Sequence, residues 1–116
     1  LHSGYPYMRH TSYLAAHFPQ VYLDVSQMIP HAGRSSERGL FELMEVSPFT
    51  KILYGSDGGS LPEHTWYTAM YFKEVLGNVL TNFVKANVFD EEKAYCVANW
   101  ILKENVTQLY QLPISG

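Results

Sequence analysis

A single cysteine, Cys96, in 116 residues leaves no partner for an internal disulfide and cannot build a cysteine zinc site. Basic residues are few as well: eight Lys and Arg stand against eleven Asp and Glu, a formal net charge of −3. Spread thinly, they form no patch for a polyanion, so no nucleic-acid partner is expected. No apolar run approaches the roughly 20 residues that span a bilayer, and no membrane partner is expected either. The chain opens Leu1-His2-Ser3-Gly4, without an initiator methionine, a basic start or a signal-peptide core. It is therefore expected to be cytoplasmic and a fragment. Low-complexity tracts, a nucleophile elbow, a lysine-bearing phosphate loop and a His-x-x-x-His pair are all missing. What is present is 47% hydrophobic, 15% aromatic and 16% charged, the composition of a folded chain with one small domain over residues 1–116.

Two short runs are apolar on successive residues, Val21 to Ser26 and Lys51 to Asp57. That pattern suits strands covered on both faces, as in a parallel sheet. Between and after them the spacing predicts helices. Residues from Tyr7 to Phe18 place Thr11, Leu14, Ala15 and Phe18 on one face. Residues Ser36 to Val46 present Leu40, Leu43 and Met44. A longer helix is expected from Ser60-Leu61-Pro62-Glu63, with Ser60 as its cap, Pro62 in the first turn, and a stripe of Trp66, Ala69, Met70, Leu76, Val79, Leu80 and Phe83. Gly77 weakens it by about 1 kcal/mol relative to alanine. The last helix has Asp90 as N-cap and an apolar stripe through Ala94, Val97, Ala98, Ile101, Leu102, Val106 and Leu109. Pro30 to Ser36 reads as the one long loop. With Leu1-His2 as the end of a further strand, the order is strand, helix, strand, helix, strand, helix, helix. Such a chain builds an open doubly wound sheet or part of a closed (β/α) barrel, and in both the ligand site lies at the C-terminal ends of the strands.

The polar residues at those ends are His2, Asp24 with Ser26, and Asp57. His2-Ser3-Gly4 and Ser56-Asp57-Gly58-Gly59 each set a chemically able side chain beside glycine, which lets the backbone turn sharply and a ligand approach. An imidazole and a carboxylate at one end of neighbouring strands can share a metal or move a proton to and from bound water. Each also has a structural reading: an aspartate after a strand caps helices and forms turns, and a histidine near a chain start can be frayed surface. Asp24 can equally be an inward-facing, hydrogen-bonded residue. His10 and His17, His31 and His64 read as polar surface, and Cys96 as a buried, inert thiol.

In order along the chain, Leu1-His2-Ser3-Gly4-Tyr5-Pro6-Tyr7, Tyr13-Leu14-Ala15-Ala16, Pro19 to Ser26, Lys51 to Asp57, Leu61-Pro62-Glu63, Ile101 to Asn105 and Leu109-Tyr110 resemble the later part of the metal-dependent amidohydrolases. The branch is the amidohydrolase-2 group, with the hydrolase-like domain fused to glutamine synthetase in nodulin-like and FluG-type proteins. The resemblance implies an α/β fold, a partial (β/α)8 TIM barrel comprising its last three strands (β6–β8), their helices and a C-terminal helix. It makes Asp57 the strand-eight aspartate, a metal ligand and proton shuttle, and His2 the strand-six histidine, which polarises substrate or orients metal-bound water, sometimes as a ligand. The catalytic and metal residues so implied are His2 and Asp57, the metal zinc or manganese, and the partner a small-molecule substrate. Tyr5 and Ser60 are the expected substrate contacts. The family's other ligands, a His-x-His pair among them, have no counterpart here. The isolated chain is therefore expected to bind metal weakly and to be inactive, and its open sheet edges are expected to drive self-association. The alternatives are a non-catalytic barrel module that serves oligomerisation or regulates a fused synthetase, and an open flavodoxin-like domain that binds a ligand at Gly58-Gly59.

Overall fold

The computed structural model describes residues 1–113, apart from the side chain of Pro30. It is a mixed α/β chain, mostly helical, around a small parallel sheet. In chain order, a tight turn at His2–Gly4 precedes α1 (Met8–His17), β1 (Leu23–Asp24), α2 (Met28–Ala32), α3 (Ser36–Val46), β2 (Ile52–Leu53), α4 (Pro62–Lys85), α5 (Glu91–Asn99) and α6 (Asn105–Leu109). The strands pair Leu23 with Ile52 and Asp24 with Leu53, in parallel as the apolar runs predict.

The strands are shorter than those runs. Phe49–Lys51 forms a 3₁₀ turn that leads into β2, and only two residues of each run join the ladder. Lys51 instead turns toward α1, where its Nζ donates to the carbonyls of Ala15 at 2.7 Å and Phe18 at 2.8 Å. A cation there complements the carbonyl-rich C-terminal end of α1. Leu1-His2 forms no strand. His2, Ser3 and Gly4 have φ of 58°, 49° and 66°, a run of left-handed residues that cannot be extended.

Other expectations change for local reasons. The Pro30–Ser36 loop is occupied by α2 and a 3₁₀ turn at Gly33–Ser35, because proline is tolerated in a first helical turn. Ser60 does not cap α4: the cap is Leu61, with no side-chain bond, and Pro62 follows at the helix start. Asp90 does cap α5, accepting from the Lys93 N–H at 2.8 Å.

The core lies between the sheet, α3 and α4. Leu40, Leu43 and Met44 are buried, as their spacing requires, against Phe72, Val75, Leu76, Val79 and Phe83 of α4 and Val25 and Ile52 of the strands. Each large side chain so buried contributes about 1.5–3 kcal/mol. The first turns of α4 present a different face from the one expected. Thr68 is buried while Trp66 and Met70 are exposed, because the buried stripe of 68, 72, 75 and 76 is rotated relative to 66, 69 and 70. On α1 the buried residues are Met8, Ser12 and Ala15, and Leu14 and Phe18 are exposed. Among the described residues no helix is long and apolar enough to cross a membrane.

The C-terminal helix does not run straight through. Trp100–Glu104 forms a π turn between α5 and α6. The looser turn leaves the Ile101 carbonyl able to accept the Tyr54 N–H at 3.2 Å. One turn on, buried Asn105 donates to the carbonyls of Phe49 and Ile52 at 2.8 and 2.7 Å. The outer edge of β2, expected to be open, is thus occupied at Ile52–Tyr54 by the chain's own helix.

Candidate functional site

The site is built from the turn before α1 and the ends of the two strands. Ser3 anchors the turn: its hydroxyl donates to the Asp24 carbonyl at 2.7 Å, and its own carbonyl accepts from Thr11 Oγ1 at 2.6 Å. Gly4 is required there, because its φ is 66° and a Cβ would collide with the Thr11 side chain. The left-handed backbone at His2 and Ser3 is strained, at about 1–3 kcal/mol per residue. The packing around it holds that strain and carries His2 over the end of β1.

There His2 meets Asp24 and Ser26. These two, i and i+2 on an extended segment, face the same way. The His2 N–H donates to Asp24 Oδ1 at 3.3 Å and the Ser26 N–H to the same oxygen at 3.1 Å, and the Ser26 hydroxyl bonds it as well. His2 Nδ1 lies 2.9 Å from Ser26 Oγ. Burial pushes the Asp24 carboxyl pKa up. The hydrogen bonds from the Ser26 hydroxyl and the two backbone N–H groups more than offset this and hold it below the ordinary carboxylate value.

Asp57 arrives from the other strand, three residues beyond Tyr54, in an irregular segment at φ 51°. It is exposed, and among the described residues its carboxylate has no hydrogen-bond partner. His2, Asp24, Ser26, Gly55 and Asp57 line one open cleft of about 410 Å³ at the C-terminal ends of the strands, together with Val106 and Tyr110. A one-residue backbone shape at Gly55 matters here, since a Cβ would press on that of Ser26 at 3.2 Å. An imidazole and two carboxylates on one cleft can accept a proton from water and return it to a leaving group.

The expected site residues fall in two places. His2 and Asp57 share the cleft. Tyr5 and Ser60 are exposed and lie outside its lining. His10 and His17 are on the exposed side of α1, His17 stacked on Tyr13 and bonded to its carbonyl at 2.8 Å. His31 is exposed, and His64 sits half-buried in the first turn of α4. Cys96 is exposed, not buried, because α5 packs through Val97 and turns its neighbour outward. The Asp24–Ser26 pair is the feature that pattern reading left open. Its signal was the i, i+2 spacing of two polar residues at the end of an apolar run.

A metal centre needs several donors at one point. Among the described residues, no three His, Cys, Asp or Glu side chains come together in that way. The described residues therefore do not by themselves make a complete metal site.

Known proteins give the cleft its context. The chain is 35% identical, over 113 residues, to protein FluG of Emericella nidulans. Its fold is similar to the crystal structure of a "putative metal-dependent hydrolase" from Lactobacillus casei ATCC 334, with a TM-score of 0.83 and 32% identity. Both likenesses run nearly the whole length of the chain. They take in 97% of it for FluG and 95% for the hydrolase, but only 13% and 28% of those longer proteins. No protein-family profile matches the chain.

Proposed function

We propose that this chain is the C-terminal part of a metal-dependent hydrolase of the amidohydrolase type, the last third of a (β/α)8 barrel. The observation that carries the proposal is that His2 and Asp57, brought in by separate segments, line one cleft at the C-terminal ends of parallel strands, where such folds hold their ligands. Likeness to a hydrolase structure over nearly the whole chain supports it. In this reading Asp57 accepts the proton of an attacking water at a carboxylate oxygen, and His2 handles the proton on the reacting oxygen or leaving group. Zinc or manganese, bound with ligands from outside this chain, would supply a water of lowered pKa. The substrate is a small molecule with a C–N or related bond, and Tyr5 and Ser60 would contact it from beyond the cleft wall. The proposed setting is cytoplasmic. Self-association would use the exposed Trp66, Tyr67 and Met70 on α4, since the edge of β2 is taken.

The test is hydrolysis of a panel of amides, with added zinc or manganese, by the longer protein containing this segment. Asp57→Asn and His2→Ala should each lower kcat by roughly 10²–10⁴-fold, the usual worth of a positioned acid or base. The 116-residue chain alone should show no turnover. Full activity in Asp57→Asn would overturn the reading and leave the non-catalytic module, a barrel retained for assembly or regulation, as the account of this segment. Release of carbon dioxide in place of hydrolysis would move the same residues to decarboxylation.

A further inference from the structure

The contacts around Asp24 decide more than where His2 sits. Its Oδ1 receives the His2 N–H, the Ser26 N–H and the Ser26 hydroxyl. A hydroxyl has one proton, and a carboxylate oxygen can only accept it. With that proton turned to Asp24, Ser26 Oγ can meet His2 Nδ1 only as an acceptor. The 2.9 Å contact then requires a hydrogen on Nδ1, and in a neutral ring the free lone pair belongs to Nε2. We infer that Asp24 and Ser26 are positioning residues that hold His2 in the Nδ1–H tautomer, leaving Nε2 as the proton-accepting nitrogen at the cleft.

The arrangement is doubly determined. One carboxylate oxygen holds the His2 backbone directly and its ring through Ser26, so ring orientation and tautomer are set together. Ser26 is buried, which protects the relay from competing water. The strained turn has a use in this light, because relaxing His2 to an extended backbone would take its N–H away from Asp24. The tautomer rests on this geometry alone, whereas the use of Nε2 as a catalytic proton acceptor rests on the hydrolase reading above.

The experiment is ¹⁵N NMR of the histidine side chains in the 116-residue chain, at about pH 8.5, some two units above an unperturbed imidazole pKa. His2→Gln identifies the His2 signals among those of the five histidines. The expected result is a proton on Nδ1 and a pyridine-like shift at Nε2. Ser26→Ala, which keeps the Cβ that packs on Gly55, should abolish the preference and return His2 to the Nε2–H form favoured by a free side chain. Ser26→Thr should retain it. A wild-type His2 protonated on Nε2 overturns the inference without any variant, and so does an unchanged Nδ1–H population in Ser26→Ala. None of these results depends on turnover, so a failed activity assay and a failed tautomer assignment are told apart.

Discussion

The two edges of the small sheet are both closed, but by different means. At β1 the closure is a left-handed turn whose Ser3 hydroxyl and His2 N–H bond the Asp24 carbonyl and carboxylate. At β2 it is a helix, whose π turn offers the Ile101 carbonyl to Tyr54 and whose Asn105 amide takes the carbonyls of Phe49 and Ile52. The β2 closure satisfies edge backbone groups with little strain. The β1 closure uses three successive residues at positive φ and brings an imidazole to the cleft. Strain maintained where a chemically able side chain is placed is the pattern of functional sites. One edge is thus closed by packing alone, and the other by a strained turn that carries an imidazole.

Gly4→Ala should have the largest effect. A Cβ at a left-handed position costs about 1–2 kcal/mol and the clash with Thr11 a further 1–3, so urea unfolding should show a loss of about 3 kcal/mol. Near-normal stability in this variant would break the claim that the turn is held rigidly. Asn105→Leu tests the other edge: the Ile52 carbonyl loses a buried donor and the Phe49 carbonyl loses one of two, for a loss of about 2 kcal/mol. The His2 tautomer should be unmoved in that variant, and a shift there would show that the two edges are coupled.

Acid should act on the β1 edge. The native Asp24 carboxyl lies below its unfolded value of about 3.9, so its stabilising contribution is present above about pH 4 and is lost as pH falls through the native value. The gap in urea midpoint between wild type and Asp24→Asn should accordingly hold above about pH 4 and close progressively below it. A constant gap would mean that charge on Asp24 contributes nothing. The smallest effect is expected far from both edges. Gly77 lies exposed inside α4 with nothing within 4 Å of an added Cβ, so Gly77→Ala should stabilise the chain by about 0.8 kcal/mol without altering the cleft.

Much of this was legible in residue order. Leu40, Leu43 and Met44 lie at helical spacing and are buried, Asp90 caps the helix it precedes, and two uninterrupted apolar runs pair in parallel. The site was legible in outline, as polar residues at the ends of those runs. What misled was the extent of each run. Leu1-His2 reads as a strand end because leucine and histidine fit one, whereas Thr11 and Asp24, distant in sequence, hold the backbone in a left-handed turn. Trp66 and Met70 read as core because they are apolar, but the face of α4 that meets the sheet starts at Thr68.

Local chemistry, then, was sufficient for periodicity, capping and the parallel character of the strands, because each depends on residues within a turn or two of one another. The tertiary structure alone decided which helix face is buried, that Asn105 closes an edge, and that His2 is brought onto the Asp24–Ser26 pair. Those outcomes join segments about twenty to fifty residues apart, and only packing of the whole chain brings such groups within hydrogen-bond reach.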